Sequence, residues 1–123
     1  MALVLCTGVN QTLLETRRLI LERAGHTVVS VVDEKKLAAA CQENAFDVAV
    51  IGQGVSHDIK RRISLLVRQY CGSAKVLELY APYAGRALDN ADSWLEVPVH
   101  APAELVERVN ELAEQKGNSA KLS

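Results

Sequence analysis

Asp47-Val48-Ala49-Val50-Ile51-Gly52 is the stretch that decides the fold. A short apolar run without polar alternation reads as a strand buried on both faces, the pattern of a parallel sheet. It delivers a glycine, Gly52, to the strand's carboxyl end. Similar runs rich in Val and Leu lie at residues 2–6, 27–32, 76–80 and 94–97, each followed by a helical repeat or a turn-rich connection. Strands alternating with helices predict an α/β domain with helices on both faces of a parallel sheet. Five such strands fit one flavodoxin-like, three-layer domain with strand order 2-1-3-4-5. Sheets of this kind place functional groups at the carboxyl ends of their strands, which here are Thr7 with Gly8, Gly52, Tyr80 and Val97.

Helix boundaries have local causes. Thr12-x-x-Glu15 has the form of a capping box, and Gly25 stands where the first helix stops. Asp33 and Ser56 are suited to cap the next two helices. In the third helix Ile59, Ile63, Leu66, Val67 and Tyr70 form one apolar stripe expected to dock on the sheet. Pro102 suits the first turn of the last helix, with Leu105, Val109, Leu112 and Ala113 facing inward. The domain is expected over residues 1–115, and 116–123 reads as a flexible tail.

Composition narrows the function classes. The chain has 123 residues, of which 49% are hydrophobic, enough for one core. With 14 basic and 15 acidic residues the charge is nearly balanced, which argues against a nucleic-acid or membrane-surface binder. Cys6, Cys41 and Cys71 are odd in number and far apart, matching neither a disulfide framework nor paired zinc ligands, so a reducing compartment is inferred. Cys41 and Cys71 read as helix and helix-end packing. The apolar start Ala2–Cys6 has no basic leader and is too short to span a membrane, so a cytoplasmic location is expected.

The order of elements, the Val97-Pro98 step after a strand and the final amphipathic helix together resemble the receiver domain of bacterial response regulators. The resemblance covers about residues 2–115 and places the phosphoacceptor aspartate of that family at Gly52. It places the magnesium-binding acidic pair at Thr7 and Gly8, or at Gly8 and Val9, the switch Ser or Thr at Tyr80, and the phosphate-contacting lysine at Val97. None of these positions carries the family's residue. The resemblance therefore implies a degenerate receiver, not an enzyme, with no metal, no cofactor and no aspartyl phosphorylation, since magnesium needs oxygen ligands and phosphoryl transfer needs charge neutralisation. It also implies a cis Val97-Pro98 bond.

The segment from Ala81 to Ala91 is shorter than the family's usual connection by about one helical turn, so the fourth helix is expected to be shortened or irregular. In receivers that helix, the last strand and the last helix contact partners or a second copy. Tyr83, Arg86 and Trp94 are the candidate partner surface here. Glu78, alternating with Val76 and Tyr80, is expected near water or near Arg86.

Other residues are weighed against plain readings. Cys6 before Thr7-Gly8-Val9-Asn10 and a helix loosely resembles the phosphocysteine loop of the B subunit of sugar phosphotransferase systems. A Cys6-dependent phosphotransfer or redox enzyme is thus the alternative function, set against a buried structural thiol. Gly52-Gln53-Gly54 has the composition of an anion-cradling loop, although a tight strand-to-helix turn accounts for both glycines. A third reading keeps phosphorylation at a substitute such as Asp58, but that residue lies beyond the strand end and lacks the metal-binding acids. Lys60, Arg61, Arg62 and Arg68 read as a solvated basic side of the third helix, and His26, His57 and His100 as exposed.

Overall fold

The computed structural model describes residues 1–98 and the backbone of 102–122, with side chains as far as residue 115. The chain forms β1 (Leu3–Thr7), α1 (Gln11–Arg23), β2 (Thr27–Val31), α2 (Glu34–Glu43), β3 (Val48–Ile51), α3 (His57–Tyr70), β4 (Lys75–Tyr80), β5 (Ser93–Glu96) and α4 (Pro102–Leu122). The strands pair in parallel in the order β2-β1-β3-β4-β5. All four residues of β3 are buried, as an unalternating strand requires.

Two apolar layers flank the sheet. On one face Val4, Val50, Leu77 and Leu79 meet Leu14 and Leu21 of α1 and Leu105, Val109 and Leu112 of α4, with Ala113 packed alongside. On the other, Leu5, Ala49, Ile51 and Val76 meet Leu37 of α2 and Ile63 and Val67 of α3. Asp33 and Ser56 cap α2 and α3 as expected, accepting from the amides of Lys36 and Ile59. Gly25 ends α1 with φ +97, and the bonds from Gly25 N to Glu22 O and from His26 N to Leu21 O close the helix in the Schellman pattern. The Val97-Pro98 bond is cis. His100 lies outside the described residues.

Several expectations need correction. The cap of α1 is Asn10, whose side chain accepts from Leu13 N, and not Thr12. Three residues suffice to turn the chain out of β1, so the helix begins earlier, and Glu15 pairs outward with Arg18. His26 is buried, not exposed: Ala2 N donates to Nδ1, which leaves Nε2 to donate to Asn110 Oδ1 at 2.7 Å. The buried face of α3 is Lys60, Ile63, Ser64 and Val67, while Ile59 and Tyr70 are exposed. The helix is turned about its axis relative to the apolar stripe, because Lys60 is drawn inward by polar partners described below.

Cys41 and Cys71 are not merely packed; they form a disulfide across a Cα–Cα distance of 5.2 Å. Docking α2 beside α3 on one face of the sheet brings an inward residue of α2 to the C-cap of α3. The inference of a reducing compartment from cysteine spacing loses its basis accordingly.

No helix stands between β4 and β5; an irregular connection over 81–92 takes its place. Ala84 N and Gly85 N both donate to Ala81 O, and Gly85 has φ +72, a left-handed turn suited to glycine. Beyond it, side chains satisfy the backbone in place of helical bonds. Glu78 accepts from Ala87 N and Leu88 N, Trp94 Nε1 donates to Leu88 O, and Arg68 Nη2 donates to Asn90 O.

Candidate functional site

The carboxyl ends of β1 and β3 are tied together. Thr7 Oγ1 donates to Val50 O at 3.0 Å, and Gly52 N donates to Thr7 O at 3.1 Å. Gly8 lies against Gly52, its Cα 3.8 Å from where a Cβ on Gly52 would stand. Tyr80 and Val97 form a second contact, with Val97 N donating to Tyr80 O at 2.9 Å, and the Val97 side chain belongs to the core.

Gly52 has no room for a side chain. A Cβ there would sit 2.9 Å from Thr7 O and 3.0 Å from Nη1 of Arg17. Arg17 reaches this point from the inward face of α1, between Leu14 and Leu21, and is only 8% exposed. Its Nη2 donates to Gln53 Oε1. Burial lowers the guanidinium pKa, an effect the nearby Cys6 thiol opposes. Sequence reasoning missed Arg17; the signal was a charged residue on the Leu14–Leu21 stripe.

Cys6 is fully buried, and burial pushes its thiol pKa up to about 12 despite the pull of Arg17. A thiol so raised supplies no thiolate near neutral pH, which disfavours the Cys6-dependent enzyme. The residues here also do not fit magnesium. Thr7 Oγ1 offers only the lone pairs of a neutral hydroxyl and Gly8 no side chain, and the Arg17 guanidinium lies beside Gly52.

Beneath β4 lies a buried ion pair. Lys60 Nζ donates to Glu78 Oε2 at 2.9 Å and to Leu79 O at 2.8 Å. Glu78 is fully buried, and it is neither near water nor paired with Arg86 as expected. Burial raises its pKa, but bonds from Ala87 N, the Lys60 ammonium and Leu88 N outweigh that, and the net shift is downward. Lys60 correspondingly leaves the solvated basic side of α3 assigned to it.

Arg86, on the connection, instead stacks on an aromatic residue from each flanking strand, Tyr80 of β4 and Trp94 of β5. Its guanidinium lies 5.3 Å from the Tyr80 ring centre and 4.7 Å from that of Trp94. Trp94 is half-buried, whereas Tyr83 is 95% exposed. The structure thus joins Tyr80, Arg86 and Trp94 in one cluster, with Tyr83 beside it on the same connection.

Solved structures of similar shape decide the fold. The receiver domain protein (CheY-like) of Methanospirillum hungatei JF-1 matches with a TM-score of 0.81 and 16% identity over 97% of this chain and 98% of that one. The fold is that of receiver domains. The Francisella response regulator 1452 receiver domain matches at 0.78, with 21% identity over 94% of this chain and 98% of its own. Full-length FixJ from B. japonicum matches at 0.76 with 18% identity over 98% of this chain, which spans 61% of FixJ's length. No protein-family model and no curated protein sequence matches the chain. Among the described residues, no helix is long and apolar enough to cross a membrane.

Proposed function

We propose that this chain is a degenerate receiver domain, a signalling module that works through protein contacts without aspartyl phosphorylation. One observation carries the reading: at Gly52, which the resemblance aligns with the phosphoacceptor, the space a side chain would need is bounded by Thr7 O and the Arg17 guanidinium. The matching positions Thr7, Gly8, Tyr80 and Val97 supply no carboxylate for magnesium and no lysine for a phosphoryl group. The shape shared with receiver domains supports the scaffold half of the reading.

Communication is then left to the surface. The contact region proposed is the β4–β5 connection, β5 and α4, where Tyr83, Arg86 and Trp94 meet a protein partner or a second copy, with no nucleic acid and no membrane involved. An exposed tyrosine beside a stacked arginine has the composition of an interface anchor. Magnesium titration followed by thermal melting tests the reading. The expected melting temperature is constant at fixed ionic strength, and a magnesium-dependent rise of several degrees would oppose it.

A further inference from the structure

Among the described residues, Arg17 is the one buried cation at the carboxyl edge of the sheet without a carboxylate in ion-pair distance. Lys60, buried to a similar degree, has Glu78. Arg17 has no carboxylate within ion-pair distance among the described residues; its one acceptor is the neutral amide oxygen of Gln53. A buried guanidinium without a counter-charge is costly, and buried charges are ordinarily paired. The charge therefore carries a cost that packing alone does not require.

The surroundings are open where an anion would enter. Gly54 has nothing within 4 Å of where a Cβ would stand, and Gln53 is half-exposed, so moving its side chain outward breaks its bond from Arg17 and needs no buried group to shift. The Gln53 carbonyl dipole occupies the place of an oxygen that a negative ligand would present. The Nη edge of Arg17 faces Gly52 and Gln53, the geometry by which a guanidinium takes a carboxylate or phosphate through two parallel bonds.

We propose that the mouth of this receiver fold is a binding site for a small oxyanion, a phosphate or a carboxylate, held by Arg17 after it displaces the Gln53 side chain. The binding is non-covalent and needs neither metal nor nucleophile. It reverses the electrostatic sense of an acidic receiver mouth, and it holds whether or not the β4–β5 connection is a partner surface.

Thermal melting of the full chain against sodium phosphate and, separately, sodium acetate, at ionic strength held constant with chloride, tests the proposal. The expected result is a rise of about 5 °C once one of these anions exceeds its Kd by about tenfold, growing with the logarithm of its concentration beyond that. A rise with phosphate alone or acetate alone identifies which class the site takes. Arg17→Met should abolish the response. Gln53→Glu should place the missing carboxylate within the chain, raising the melting temperature without added anion and removing the response to it. Should Arg17→Met fail to fold, Gln53→Glu decides by itself. No concentration-dependent rise with either anion, an undiminished rise in folded Arg17→Met, or a full response in Gln53→Glu would overturn the proposal.

Discussion

The Lys60 ammonium lies 2.9 Å from the Glu78 carboxylate with both side chains sealed from solvent, and this pair stands in for the helix missing between β4 and β5. Glu78 spends its oxygens on Lys60, Ala87 N and Leu88 N, so one carboxylate anchors α3, β4 and the 81–92 connection together. Removing one partner strands the other as a buried, uncompensated charge. Lys60→Met is expected to destabilise the fold by about 3–5 kcal/mol in urea denaturation. Glu78→Gln should in addition speed hydrogen exchange at the Ala87 and Leu88 amides more than elsewhere. A loss below about 1 kcal/mol in both variants would contradict this role.

The same pair sets an acid limit. Because the folded-state pKa of Glu78 is depressed below the ordinary 4.5, its contribution is complete above that value and is lost as pH falls through the folded pKa. Stability should thus be level near neutrality and fall below about pH 4.5, and Glu78→Gln should have the shallower acid slope. The urea midpoint of both proteins measured from pH 7 to pH 3 checks the sign; parallel curves would contradict it.

Thiol labelling separates the three cysteines. Native protein at pH 7 should take no iodoacetamide, because Cys6 is buried with its pKa pushed up to about 12 and the other two are joined. Unfolding without reductant should expose one thiol, and reduction all three. Reducing the Cys41–Cys71 bond, which spans 30 residues, should lower stability by about 3–4 kcal/mol. Labelling of Cys6 in the native state would contradict its burial.

Gly52 is expected to resist substitution. Gly52→Ala should cost about 1–3 kcal/mol, since the new methyl meets a backbone carbonyl oxygen and a guanidinium that cannot both retreat. Gly52→Asp should melt lower than wild type and remain unresponsive to magnesium. Chemical denaturation of both variants measures the cost.

Much of the fold is legible in the sequence because period and caps agree. Unalternating apolar runs give the strands, and Gly25, Asp33 and Ser56 punctuate the helices as local rules demand. Charged residues on inward stripes are the illegible part. Arg17 between Leu14 and Leu21, and Lys60 beside Ile63, read as solvent-facing until their partners are known, and Glu78 is 18 residues from Lys60 along the chain. The disulfide is hidden for the same reason, since only the docking of α2 beside α3 brings Cys41 to Cys71. At the mouth, the glycine at position 52 is plain in the sequence, but the guanidinium that fills its space is a product of packing.

The central claim is that this receiver fold carries no aspartyl phosphorylation. Incubation of the full chain with acetyl phosphate and magnesium, followed by intact-mass measurement, tests it most directly. An unchanged mass is the expected result; a hydroxylamine-labile phosphoryl adduct, at Asp58 or any other aspartate, would contradict it.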